Sequence, residues 1–475
     1  MTPHSVSDIL NRDRVSYELL NGESIFLRNP QKFSEYTIDL LVWDAVFGEN
    51  DEIRNAARWI IRRAGLELGV VSSSIRGLYD SRGRKECGGF TVPAINIRGM
   101  TYDVARAAIR AAKRLKVGAF VFELSRSEMS YSGQRPAEYA AVVIAAAIRE
   151  GFEGPLFIQG DHYQANPKKF AKTYFELELQ ALKELCQEAV AAGYGNIDID
   201  TSTLVDLSKP DIFEQQRHNF EVCAELAAFV RSIEPPGMSI TLGGEIGEVG
   251  KKNSTPEELI AFMEGFNAAF AEKAPGKPGL SKISVNTGTS HGGVVLPDGT
   301  IAQVAIDFVT LRTLSLLARD RFGLGGVVQH GASTLPPDAF HKFVECEALE
   351  VHLATEFQNM MFENAAFPRD FKEEIYKYLR KAFLDEKKPT DTDEQFIYKT
   401  RKKSFGAFKK MFWELPADAK ARIGQDLERK FAFLFEKLNV KQTTDLVRKK
   451  VAQVPVIPPV PPALAEAFQK VVPAK

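Results

Sequence analysis

Cysteine is scarce: Cys87, Cys186, Cys223 and Cys346 are the only four in 475 residues, and none sits in a CxxC pair. That excludes a disulfide-built scaffold and a thiolate zinc site. Net charge is also nearly absent. The 61 Lys and Arg against 62 Asp and Glu leave −1, which argues against a surface built for nucleic acid or anionic lipid. No apolar run approaches the ~18 residues of a membrane-spanning helix. The opening MTPHSVSDIL is polar and lacks the apolar core of a secretory signal. These absences lead to the expectation of a cytoplasmic protein with neither membrane nor nucleic acid as partner. The 44% apolar and 26% charged residues are ordinary globular usage and exclude global disorder. At ~150 residues per domain, the length allows about three units, or one large domain with additions.

Residues 1–88 read as a mainly helical extension. DEIRNAARWIIRRAGLELG carries apolar residues at helical spacing, with Asn50 or Asp51 as cap and Gly69 as stop. From Phe90 the texture changes. Eight short β runs follow: TVPAINI (91–97), AFVFELS (119–125), PLFIQGD (155–161), NIDIDTS (196–202), SITLGGEIG (239–247), KISVNTGTS (282–290), GVVQHGAS (326–333) and LEVHLAT (349–355). Amphipathic stretches separate them, and no GxGxxG follows the first run. Strand and crossover helix repeated eight times predict an α/β fold, a (β/α)8 TIM barrel over 89–365, rather than an open doubly wound sheet. Residues 366–475 read as a C-terminal helical extension, with an extended Pro-rich linker at 454–462. Between 399 and 450 there are 15 basic and 6 acidic residues, read as solvated helix faces over an aromatic packing stripe.

In such a barrel, functional side chains gather where the strands end. Those ends supply Ser125, Asp161, His162, Asp200, Glu245, His291, His330 and His352, four of the seven histidines in the chain. His4, His218 and His341 fall elsewhere and read as structural. Three imidazoles on neighbouring loops suit a zinc ion acting as Lewis acid or water activator, and His162, His291 and His330 are the expected ligands. Asp161, beside His162, reads either as a proton-transfer group or as an orienting partner of a histidine. Asp200 and Glu245 carry the same two readings, with orientation or alternate ligation favoured. The glycines near these histidines offer backbone N–H groups to a phosphate.

Six motifs then stand in order: VPAINI, GDH, IDTS, EIGEVG, GTSHGG and QHGAS. Together, from about Thr91 to Gln358, they resemble the class II, zinc-dependent ketose-bisphosphate aldolases. The resemblance implies zinc on His162, His291 and His330, with Glu245 able to approach it. Asp161 would be the acid/base on the hydroxyl at the cleaved bond. Ser125, Gly292, Gly331, Ser333 and Thr355 would line the substrate and phosphate site, with room for a monovalent cation there. It also implies a sugar phosphate as the small-molecule partner, a zinc-stabilised enediolate, a role in carbohydrate metabolism such as glycolysis, and a homo-oligomer, dimer or tetramer. The chain departs from the family pattern at three places. HGAST stands for HGGSG. HLATE stands for NxDTD, so His352 replaces an asparagine and Ala354 an aspartate. GKKNS replaces the acidic GGEED loop, leaving Glu248 the nearest carboxylate. His352 is therefore expected to take part in catalysis, as a stand-in for the missing proton shuttle. An epimerase using the same metal and a non-catalytic aldolase-like partner subunit are the alternative readings.

Overall fold

The computed structural model describes residues 3–21, 23–170, 175–247, 252–288, 296 and 306–471. The strands among them are β1 (Tyr17–Leu20), β2 (Ser24–Leu27), β3 (Val70–Ser73), β4 (Val92–Asn96), β5 (Val121–Ser125), β6 (Gly154–Gln164), β7 (Asn196–Asp200), β8 (Thr241–Gly247), β9 (Lys282–Val285), β10 (Val327–Gln329) and β11 (Glu350–Leu353). The eight β runs of the sequence are β4 to β11. Every residue of β4, β5, β7, β9, β10 and β11 is buried, as parallel strands covered on both faces require.

Register closes the ring. Val121 of β5 lies opposite Ala94 of β4 and Phe157 of β6. Asn196 of β7 lies opposite Gln159 of β6 and Thr241 of β8. Glu350 of β11 lies opposite Val328 of β10 and Val92 of β4. Neighbouring strands are parallel throughout, giving the expected (β/α)8 barrel. Crossovers such as Thr101–Leu115, Pro136–Arg149 and Pro256–Lys273 wrap it.

Residues 1–88 differ from the reading in one respect. Besides helices they supply the antiparallel β1–β2 hairpin and β3, a ninth strand of the barrel sheet. Strand β6 is long enough to serve two further strands besides β5: its first half pairs with β3 (Val70↔Gly154 to Ser73↔Phe157), its second with β7. Asn196 bridges the split, accepting from Ile75 N at 3.0 Å and donating to Ile158 O at 3.0 Å. VVSS, four residues that pair along half a strand, carries too little periodicity to be read as a strand.

Gly195 sits where β3 presses on the barrel: a Cβ there would lie 2.2 Å from the Ser73 carbonyl oxygen. Gly195→Ala is expected to cost ~1–3 kcal/mol of stability, since backbone must move. Gly88→Ala, with nothing within 4 Å of its Cβ, should stay within ~0.5 kcal/mol of the parent. Equal denaturation midpoints for the two variants would remove β3 from the barrel's bottom edge.

Both extensions brace the barrel's helical ring. The helix Asp51–Glu67, capped by the Asn50 side chain on Ile53 N, packs through Gly65 against Ile144. The helix Ala417–Lys437 ties down Thr101–Leu115, where Arg110 and Arg114 meet Glu428 at 2.8 and 2.6 Å. The Pro-rich segment runs without helix or strand to the helix Pro462–Val471. Its Pro458 carbonyl accepts from Trp59 Nε1 at 3.1 Å. The basic C-terminal residues are largely answered by acids, such as Arg401 by Glu363 and Lys450 by Glu86. They surround a cluster of Phe362, Phe371, Phe405 and Phe412 that meet tilted or edge to face.

Candidate active site

Strand β6 ends irregularly. Its register to β7 shifts between Gly160 and Tyr163. Tyr163 folds back so far that a Cβ on Gly160 would lie 2.4 Å from its ring. His162 takes a φ of +39°, a strained conformation for a side chain of its size. A bulge re-aims side chains. As a result Asp161 and His162, neighbours in sequence, both line a cavity of about 740 Å³ at the strands' C-terminal ends.

His162 Nδ1 faces Glu245 Oε2 at 3.0 Å and Asp200 Oδ2 at 3.2 Å. His330 Nε2 meets Ser284 Oγ at 3.1 Å. The carboxylates beside His162 place a proton on its Nδ1, and the inner nitrogens, His162 Nε2 and His330 Nδ1, converge at 3.1 Å. Such a pair shares either a proton or a cation. Two ligand atoms on one tetrahedral ion at 2.0–2.1 Å stand ~3.3 Å apart, close to the spacing seen. Ligand atoms of His162, Glu245 and His330 all lie within 4.8 Å of one another. The donor set, two imidazoles and a carboxylate, fits zinc or a similar divalent ion. With only protons to share, burial and the Asp200 charge push Glu245 up to about 7. Burial disfavours charge on His162, but Asp161 and Glu245 outweigh it and raise the imidazole well above its usual range.

Below this cluster the barrel interior is ionic where branched apolar residues usually fill it. His352 Nδ1 meets Glu123 Oε2 at 3.0 Å and Asp161 Oδ1 at 3.1 Å; its Nε2 meets Glu350 Oε1 at 2.6 Å. Lys282 Nζ donates to Glu350 at 2.5 Å, Gln159 at 2.7 Å and Asp198 at 2.9 Å. Tyr79 closes the far side on Glu350. Asp198, Glu350 and His352 are close enough to hold a metal, but the Lys282 ammonium already stands among them. Burial opposes the His352 charge, yet Glu123 and Asp161 raise it well above the histidine range. Burial and the Asp161 charge push Glu123 up to about 7. Burial, against the pull of Lys282, brings Asp198 to about 6.

The structure thus brings Ser125, Asp161, His162, His330, Gly331, Ser333, His352 and Thr355 to one cavity, with Glu245 and Asp200 behind His162. Some are already engaged. Ser125 caps the helix Arg126–Ser132 through Glu128, and Ser333 Oγ accepts from Ala354 N at 2.8 Å. His291, Gly292 and Glu248 lie outside the described residues. Both nitrogens of His352 are taken by carboxylates, so its place is beneath Asp161, with no ring nitrogen left for the cavity. The sequence reading missed Glu123, Gln159, Asp198, Lys282 and Glu350. Their signal was a charged or amide residue inside an otherwise apolar strand, rare for a buried position.

The profile of the family described as fructose-bisphosphate aldolase class-II matches residues 84–410. No curated protein matches the chain. Among solved structures, the fructuronate-tagaturonate epimerase UxaE of Cohnella laeviribosi superposes with a TM-score of 0.56 at 11% identity, over 84% of this chain and 90% of its own. A probable tagatose 6 phosphate kinase of Sinorhizobium meliloti 1021 gives 0.50 at 17%, over 80% and 98%. The fructose-bisphosphate aldolase of Campylobacter jejuni gives 0.48 at 18%, over 79% and 97%.

Proposed function

Since this chain belongs to the class II fructose-bisphosphate aldolase family, we propose that it cleaves and re-forms a carbon–carbon bond in a phosphorylated ketose. His162, His330 and Glu245 would hold a divalent cation, zinc by donor type, with His291 the expected third imidazole. That ion supplies a Lewis acid for a substrate oxygen. The observation that carries the reading is the β6 bulge, which delivers Asp161 and His162 together to the cavity.

Asp161 is the group that takes the hydroxyl proton as the bond breaks and returns it on condensation. It is 5% exposed, and His352 pins one carboxylate oxygen at 3.1 Å. Positioning therefore falls to His352, and behind it to Glu350 and Lys282. Epimerisation is the second reading, favoured by the loss of the acidic loop. An aldolase must protonate the released enediolate carbon, whereas an enzyme that re-adds the same aldehyde on its other face need not.

Zinc-loaded protein screened against ketose mono- and bisphosphates should release a triose phosphate from at least one of them. A chelator should abolish that activity and added zinc restore it. A C-inverted ketose without triose phosphate would establish the epimerase. Full metal occupancy with no turnover of any ketose phosphate would end both readings.

A further inference from the structure

The C-terminal extension reaches the cavity at Lys402, in the turn Arg401–Lys403. The residues on either side are paired, Arg401 with Glu363 and Lys403 with Glu386. The Lys402 side chain is half-buried and forms no ion pair or hydrogen bond among the described residues. Burial and the nearby Arg98 charge hold its ammonium below the usual lysine range. Its Nζ lies 5.7 Å from the ring centre of Tyr131, on the helix Arg126–Ser132. The Tyr131 hydroxyl is itself buried with no hydrogen-bond partner among the described residues. Burial raises its phenol, so it is a neutral donor at working pH. Of the other cations lining the cavity, Arg98 is spent on Glu128 at 2.7 Å and Arg126 on Glu178 at 2.5 Å, while Lys168 is exposed.

A half-buried ammonium without an anion and a buried hydroxyl without an acceptor are both costly, and one oxyanion would satisfy both. We propose that Lys402 and Tyr131 form an anion subsite for the terminal phosphate or carboxylate of the sugar. The sugar's reacting end would lie at the His162–His330 cluster in the same cavity. The proposal rests on the reading of that cavity as a sugar site. It makes the C-terminal extension a specificity element of the barrel.

The test titrates the full-length, zinc-loaded protein by calorimetry with glycerol 3-phosphate, glycerate and glycerol. One of the two anions should bind at least ~10-fold more tightly than glycerol, and its identity names the oxyanion. Lys402→Gln should lose ~10–100-fold of that affinity and Lys402→Arg only a small part, with glycerol unchanged. Tyr131→Phe should lose ~5–10-fold, and it keeps the test open should Lys402→Gln fail to fold. Equal binding of all three ligands by the parent, or an unaltered preference in folded Lys402→Gln, overturns the subsite. Binding is read without turnover, so the two proposals fail separately. An anion preference without ketose cleavage ends the aldolase reading alone. Cleavage without an anion preference ends the subsite alone.

Discussion

Asp161→Asn is expected to lower turnover by roughly 10²–10⁴ while zinc content and KM stay near the parent's. Asparagine keeps the shape of the carboxylate and leaves an oxygen for His352 Nδ1, now 3.1 Å away, but it has no basic oxygen to accept a hydroxyl proton. Asp161 is not in the His162–Glu245–His330 group, although it also stands within ligand reach of His330 and His352, so zinc content is the reading that separates a proton-transfer role from ligation. If Asp161 merely orients a histidine, the same variant should instead lose ~10–100-fold in metal affinity with a smaller effect on the metal-saturated rate. Zinc content and saturated turnover, measured on one preparation, separate the two. A variant that keeps parental turnover when metal-loaded shows that the proton goes elsewhere. His352→Asn supplies the companion measurement. It leaves Glu123, Asp161 and Glu350 without their shared imidazolium, so it should slow turnover by loosening Asp161 while metal remains bound.

The barrel was legible because its strands are buried on both faces and read as short unbroken apolar runs. The site was legible where chemistry stands at strand ends, as with Asp161, His162 and His330. What hid was whatever depends on register. Glu123, Asp198, Lys282 and Glu350 are each visible as charges inside apolar runs, but their pairing follows from strand order alone. Gly243 makes room for it: a Cβ there would lie 2.3 Å from Asp198 Oδ1 and 3.1 Å from Lys282 Cε. His352 looked like an asparagine replaced at a substrate contact; only the closed ring shows the carboxylates around it. The bulge at Gly160–Tyr163 was hidden as well, because a positive φ at a histidine has no sequence signature. The basic C-terminal stretch is uniform in sequence, yet its cations differ in fate. Partners such as Glu363, Glu386, Glu138 and Glu86 come from distant segments, while the half-buried Lys402 faces the cavity with no ion pair among the described residues.

Removing either imidazole of the facing pair is the second large effect. Parent protein should hold about one divalent ion per chain, and His162→Ala or His330→Ala should each reduce occupancy below ~0.1 at equimolar zinc. The two losses differ in kind. His330 touches Ser284 on its outer nitrogen, so His330→Ala removes one donor and frees one hydroxyl. His162 lies against both Asp200 and Glu245, so His162→Ala also leaves two buried carboxylates facing each other. Without the imidazole that opposes burial and the Asp200 charge, Glu245 is pushed further up and becomes a weaker ligand. Hence His162→Ala should be harder to rescue with excess zinc than His330→Ala. Ser284→Ala is the graded control: it keeps every donor atom but removes the hydroxyl that holds the outer nitrogen of His330, and should weaken zinc binding by ~10–100-fold. Metal analysis after dialysis, with circular dichroism to confirm that the barrel remains folded, reads all three variants. Full zinc occupancy in folded His162→Ala and His330→Ala would place the ion elsewhere. The facing nitrogens at 3.1 Å would then share a proton instead.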